Sequence, residues 1–168
     1  MRYHNITKGD MLNGDGLRAV LWVSGCSHAC PGCHNPVTWD AKGGLPFDHA
    51  AKEELFQELG QDYISGLTLS GGDPLFPGNR EDIFALCREV KAKFPAKTIW
   101  LYTGYEWEDV RELPVMQFVD VLVDGPYIEA VRNTGLLWRG SGNQRVIDVQ
   151  KTLSIGQIEL HAEPDYSI

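Results

Sequence analysis

The sequence predicts an α/β fold, an open, partial TIM-type (β/α) barrel with a mainly parallel sheet. Short apolar runs alternate along the chain with segments of helical period, as they do in β/α units. Almost every run stops at a turn rich in glycine or cysteine. Such turns lie at the carboxyl ends of strands, where parallel α/β sheets gather their ligands. The chain has 168 residues. That is too few for eight β/α units, which take about 250 residues, so the barrel is expected to stay open. One domain spanning residues 1–168 follows.

Residues 1–17 read as a lead-in with a glycine turn, Asn13-Gly14-Asp15-Gly16. Ala19–Val23 is an apolar run that suits a strand buried on both faces. Residues 34–47 form a loop punctuated by Pro36, Gly43, Gly44 and Pro46. Asp48 is a good N-cap for a helix to Leu59, with Ala51, Leu55 and Leu59 on one face and Gly60 as its end. Gly66–Ser70 is the second strand, ending in Gly71-Gly72-Asp73-Pro74. Asn79 is the expected cap of a helix to Phe94, whose inner face carries Ile83, Leu86, Cys87, Val90 and Phe94. Thr98–Tyr102 is the third strand, and a short helix at 106–113 stops before Pro114. Phe118–Val123 is the fourth strand, ending at Asp124-Gly125. Residues 126–145 make a long loop, and loops of that length in a compact domain usually serve function. Val146–Val149 is a fifth strand and Ile158–Leu160 a weaker one.

Composition removes several classes. Hydrophobic residues make up 43% and charged residues 23%, as in an ordinary soluble globule. The net charge of -8 argues against a nucleic-acid partner, which asks for a basic stripe. No apolar run approaches the ~20 residues of a membrane span. The polar start, Met1-Arg2-Tyr3-His4-Asn5, is unlike a signal peptide. A cytoplasmic setting is expected, where thiols stay reduced.

Three of the four cysteines, Cys26, Cys30 and Cys33, lie in one loop with spacing Cys-x3-Cys-x2-Cys. Three thiolates can hold three corners of an iron–sulfur cubane and leave one iron open, where electron carriers usually fill all four. The same residues with His28 or His34 make a zinc site conceivable, and disulfides or reactive thiols are further readings. Cys87 sits mid-helix on an apolar face, as a core thiol does. His4, His49 and His161 show no ligand spacing.

Cys26-x3-Cys30-x2-Cys33 followed by His34-Asn35 resembles the cluster motif of the radical S-adenosylmethionine (SAM) enzymes. The match widens through Asn13-Gly14-Asp15-Gly16-Leu17-Arg18, Val23-Ser24-Gly25-Cys26, Cys30-Pro31-Gly32-Cys33, Ser70-Gly71-Gly72-Asp73-Pro74, Thr103-Gly104-Tyr105, Val123-Asp124-Gly125 and Trp138-Arg139-Gly140-Ser141. In this order, from about residue 3 to residue 150, they resemble the activating proteins of anaerobic ribonucleotide reductases.

The resemblance implies a 4Fe-4S cluster on Cys26, Cys30 and Cys33, with SAM chelating the open iron. An external one-electron reductant such as flavodoxin would feed the cluster. The 5′-deoxyadenosyl radical so formed would take a hydrogen from one glycine of the anaerobic ribonucleoside-triphosphate reductase and install its glycyl radical. Gly71, Gly72 and Asp73 would meet the methionine part of SAM, although the same residues make an ordinary strand-to-helix turn. The superfamily more often carries Glu where Asp73 stands. Gly32 occupies a place that is often aromatic, so main-chain groups of Gly32, Cys33 and His34 would meet the adenine, with stacking from His34 or Trp39. Asp124 would accept from ribose hydroxyls or an ammonium, or cap its turn. Residues 138–145 would touch SAM or the partner, or form a solvated loop. Two competing readings remain: a radical SAM enzyme of a small molecule with residues 126–145 as its lid, and a non-catalytic zinc or iron–sulfur module.

Overall fold

The computed structural model describes residues 1–164. Its strands are β1 (Arg2–Asp10), β2 (Arg18–Val23), β3 (Leu45–Pro46), β4 (Gly66–Gly71), β5 (Thr98–Tyr102), β6 (Val121–Asp124) and β7 (Arg145–Asp148). Its α-helices are α1 (His49–Leu59), α2 (Arg80–Lys93), α3 (Trp107–Val110) and α4 (Val149–Ile155). The strands form one sheet in the order β3-β1-β2-β4-β5-β6-β7.

The sheet is mixed, which corrects the mainly parallel sheet expected from the sequence. Parallel pairing joins β2, β4, β5 and β6, while β1 pairs antiparallel with β2 and β3, and β7 pairs antiparallel with β6. The reason lies in the connections. Only 11–17 separate β1 from β2, and so short a link reverses the chain, whereas parallel strands need a longer crossover. The stretch from β6 to β7 carries no α-helix to return the chain across the sheet.

The register aligns one apolar row across six strands: Ile6, Leu21, Leu69, Leu101, Leu122 and Ile147. All are buried, and with Leu55, Leu59, Ile83, Leu86 and Val90 of α1 and α2 they build the main core. The opposite face differs. There Trp100, Val121, Val123 and Trp138 form a smaller cluster, and Trp138 comes from the loop before β7 rather than from a helix.

Asp48 caps α1 as expected, accepting from the Ala51 N–H at 2.9 Å. Asn79 departs from expectation. Its side chain makes no cap bond to α2 and instead donates to the Ser24 carbonyl at 2.8 Å, tying the helix start to the end of β2. Cys87 is fully buried in the main core, and burial pushes its thiol up to about 12. β1 replaces the expected lead-in; Ile6 is its one buried residue, so the usual alternation is faint. Helix α4 was likewise hidden by its short span, though Asp148 caps it by accepting from the Lys151 N–H at 3.1 Å. The weak strand expected at 158–160 amounts to a single bridge, Ile147 to Leu160.

Arg18 explains the glycine turn before it. Its guanidinium is fully buried at the amino ends of the central strands. It donates to Thr68 Oγ1 at 2.8 Å, to the Leu67 and Thr98 carbonyls at 2.9 Å each, to Thr98 Oγ1 at 3.0 Å and to the Asp15 carbonyl at 2.9 Å. Burial lowers its pKa to about 10. Gly14, at φ +129°, lies where any Cβ would collide with the Arg18 side chain.

Candidate iron–sulfur site

The carboxyl ends of β2, β4, β5 and β6 bring the sequence motifs to one rim. Cys26, Cys30 and Cys33 line a single recess of about 160 Å³ there, together with Gly71, Gly72 and Asp73. All three thiols are free and partly buried. The Asn35 N–H points at Cys33 Sγ, 3.4 Å away. Burial pushes the Cys26 thiol up, opposed by a main-chain bond from His28. Among the described residues no three His, Cys, Asp or Glu side chains converge as they would on a single ion. Cysteine thiolates are the usual donors of iron–sulfur clusters, so the donor set fits that group.

The cysteine loop is built against the turn after β4. The Gly72 N–H donates to Val23 O at 2.8 Å, and the Asp73 N–H to Gly25 O at 2.7 Å. A Cβ on Gly72 would stand 2.5 Å from Gly25 O and 2.7 Å from Thr38 O. One on Gly71, at φ +113°, would stand 2.5 Å from the Val23 N. Gly71 therefore admits the end of β2 and Gly72 the start of the cysteine loop, close approaches that only a missing side chain allows.

Asp73 is buried and its carboxylate is occupied. Oδ1 accepts from the Leu75 N–H at 2.8 Å. Oδ2 accepts from Thr103 Oγ1 at 3.0 Å and the Gly104 N–H at 2.9 Å, and meets His28 Nε2 at 2.6 Å. The His28 ring also stands edge-on to Tyr105, with centroids 4.6 Å apart, and lies where a Cβ on Gly104 would be. Spacing alone gave His28 no role beyond that of a possible zinc ligand, because its partner is 45 residues away.

Gly32 takes a left-handed φ of +76°, and the space a side chain would fill is held by Glu129 and Tyr127. Tyr127 donates to Glu129 at 2.7 Å and packs on His34, with ring centroids 5.2 Å apart. An aromatic side chain of the long 126–145 loop thus stands beside Gly32. A second recess of about 400 Å³ adjoins the first and shares Cys33, Gly71, Tyr102, Tyr127 and Gln144 with it. His34 borders this second recess; Trp39 borders neither. Gln144 staples the loop, with Oε1 accepting from the Gly140 and Ser141 N–H groups and Nε2 donating to Gly125 O at 3.1 Å.

Asp124 sits at the same rim but outside the residues lining either recess. It is buried and accepts from the Trp107 N–H at 2.8 Å and from the Arg145 guanidinium. With Glu108, it holds Arg145 above the ordinary arginine range. Its carboxylate braces β7 and α3 against β6.

A family model described as a 4Fe-4S single cluster domain matches residues 12–147. The chain is also similar to proteins named anaerobic ribonucleoside-triphosphate reductase-activating protein. The one from Enterobacteria phage T4 is 51% identical over 146 residues, covering 87% of this chain and 93% of the relative. The one from Escherichia coli K12 is 41% identical over 150 residues, covering 87% and 97%. That of Haemophilus influenzae is 40% identical over 148 residues, covering 86% and 96%. The chain belongs to the family of anaerobic ribonucleoside-triphosphate reductase-activating proteins. The residues that match the cluster model contain all three loop cysteines and every strand-end turn of this activating-protein family member, and a 4Fe-4S cluster is consistent with the three free thiols at its rim.

Proposed function

We propose that the protein is a radical SAM activase that installs the glycyl radical of an anaerobic ribonucleoside-triphosphate reductase. The observation that carries this is that three free cysteines line one recess, beside a second recess large enough for a nucleoside-sized ligand. Pockets for such ligands run to about 300–1,000 Å³. Cys26, Cys30 and Cys33 would hold the 4Fe-4S cluster through their thiolates, with SAM bound beside it. When bound, the cluster and SAM would supply the one-electron chemistry by which a glycine of the reductase is activated.

The chain's own residues bind and aim. Main-chain groups of Gly71 and Gly72 take the methionine end, with Asp73 bracing them. Main-chain groups of Gly32, Cys33 and His34 take the adenine, against the wall formed by Tyr127. Asp124 acts on the ribose side by fixing the Gly125 turn. The sheet is read as an open half of a TIM-type barrel in a single radical SAM domain, whose uncovered side admits a large protein. No described helix is long and apolar enough to cross a membrane. The proposed setting is the cytoplasm, with flavodoxin or a similar carrier as reductant.

The test is anaerobic reconstitution with iron, sulfide, SAM and a low-potential reductant, with and without the reductase. A glycine-centred EPR doublet and released 5′-deoxyadenosine are expected. Cys26→Ala, Cys30→Ala and Cys33→Ala should each abolish both, and Cys87→Ala should retain them. Turnover of a free metabolite without the reductase, or a colourless protein with one bound zinc, would refute the proposal.

A further inference from the structure

The cysteine loop is a poorly supported piece of chain. Ala29 is held at a left-handed φ of +50°, between residues that must present Cys26 and Cys30. For a residue with a Cβ this conformation is unfavourable. Main-chain bonds anchor the loop on one side, from the Gly25 N–H to Thr38 O at 2.7 Å and from the Cys26 N–H to Trp39 O at 3.1 Å. Beyond Cys26 the pattern changes. Among the described residues, no main-chain hydrogen bond joins 27–30 to another element, and the Cys33 N–H to Cys30 O bond is local. The bond that reaches out is made by one side chain, His28 Nε2 to Asp73 Oδ2 at 2.6 Å.

We propose that His28 is a positioning residue for the cluster. Its ring bolts the span between Cys26 and Cys30 to the ends of β4 and β5, and so fixes the separation of two thiolates. Asp73 is the anchor. It is buried, and its remaining lone pairs are held by Thr103, Gly104 and Leu75, so it offers His28 a fixed point. Tyr105 meets the ring edge, and the bare Cα of Gly104 gives it room. The inference rests on Cys26, Cys30 and Cys33 being the cluster ligands.

The test compares wild type with His28→Leu, which keeps bulk against Gly104 and Tyr105 but has no donor, and with His28→Gln, which keeps one. Each is reconstituted anaerobically with ferrous iron and sulfide. Iron and sulfide per chain, the rate of iron loss to a chelator, the EPR spectrum of the reduced cluster and the melting temperature of the metal-free protein are read. Groups that orient metal ligands typically change metal affinity about 10- to 100-fold when lost. His28→Leu should therefore lose iron about tenfold faster or more, with altered EPR g-values and an unchanged metal-free melting temperature. His28→Gln should restore both retention and spectrum. Wild-type retention and spectrum in His28→Leu would overturn the proposal, as would equal iron loss from the leucine and glutamine variants. If His28→Leu does not fold, His28→Ala is read by the same two criteria. A wild-type protein that keeps its cluster but forms no 5′-deoxyadenosine would refute the activase reading and leave this comparison intact.

Discussion

Arg18 and Asp73 are charged side chains buried at opposite ends of the central sheet, and the fold uses them differently. At the amino end Arg18 bonds to the starts of β4 and β5 and to the turn before β2. All its partners are neutral oxygens within the scaffold. At the carboxyl end Asp73 receives the ends of β4 and β5 and, through His28, the cysteine loop. Both centres are nearly saturated with hydrogen bonds, as buried charges must be. The difference is what they hold. Arg18 joins strands to one another, so it contributes to stability. Asp73 joins strands to the loop of the three cysteines, so on the proposed function it sets geometry. Burial and charge alone do not reveal which residues serve the chemistry; the partner segment does.

Three substitutions sharpen that contrast, taken from the largest expected effect to the smallest. Arg18→Met strips five bonds from scaffold oxygens, two of them wholly buried at Thr68 and Leu67. It should lower the stability of the metal-free protein by about 3–5 kcal/mol in urea unfolding, while the protein that stays folded loads iron normally. Iron loss in proportion to the fold at both ends would erase the distinction. Gly72→Ala drives a methyl into Gly25 O and Thr38 O. It should cost about 1–3 kcal/mol as overpacking and also reduce iron per folded chain, because the atoms that must yield belong to the cysteine loop. Cys87→Ala touches neither end. It should cost about 1–2 kcal/mol from a small core cavity, with iron content and EPR spectrum unchanged.

Much of this was legible in the sequence. The central strands, α1 and α2 showed as apolar runs and helical periods, because each buries a continuous stripe in the main core. The three cysteines and the Gly71-Gly72-Asp73 turn stood out by spacing. What stayed hidden was pairing at long range. Nothing near His28 or Asp73 indicates that they meet, and nothing in Gly32 indicates that Tyr127 and Glu129 fill the space beside it. Asn79 looked like a helix cap because Asn commonly is one, and the structure spends its amide on Ser24 instead. β1 has little alternation to mark it, and the fifth strand expected at 146–149 lies close to β7 but runs antiparallel, a direction that no side-chain pattern encodes.

The reversal of β7 decides how this scaffold can grow. A strand that runs backwards beside β6 ends the succession of β/α units, since the next unit would have to start from the wrong rim. Lineages that need to enclose a smaller target would have to lengthen the 126–145 segment, which already walls both recesses through Tyr127 and is pinned by Gln144. Selection for new substrates should therefore leave its insertions there, ahead of the turning point, and spare the cysteine loop.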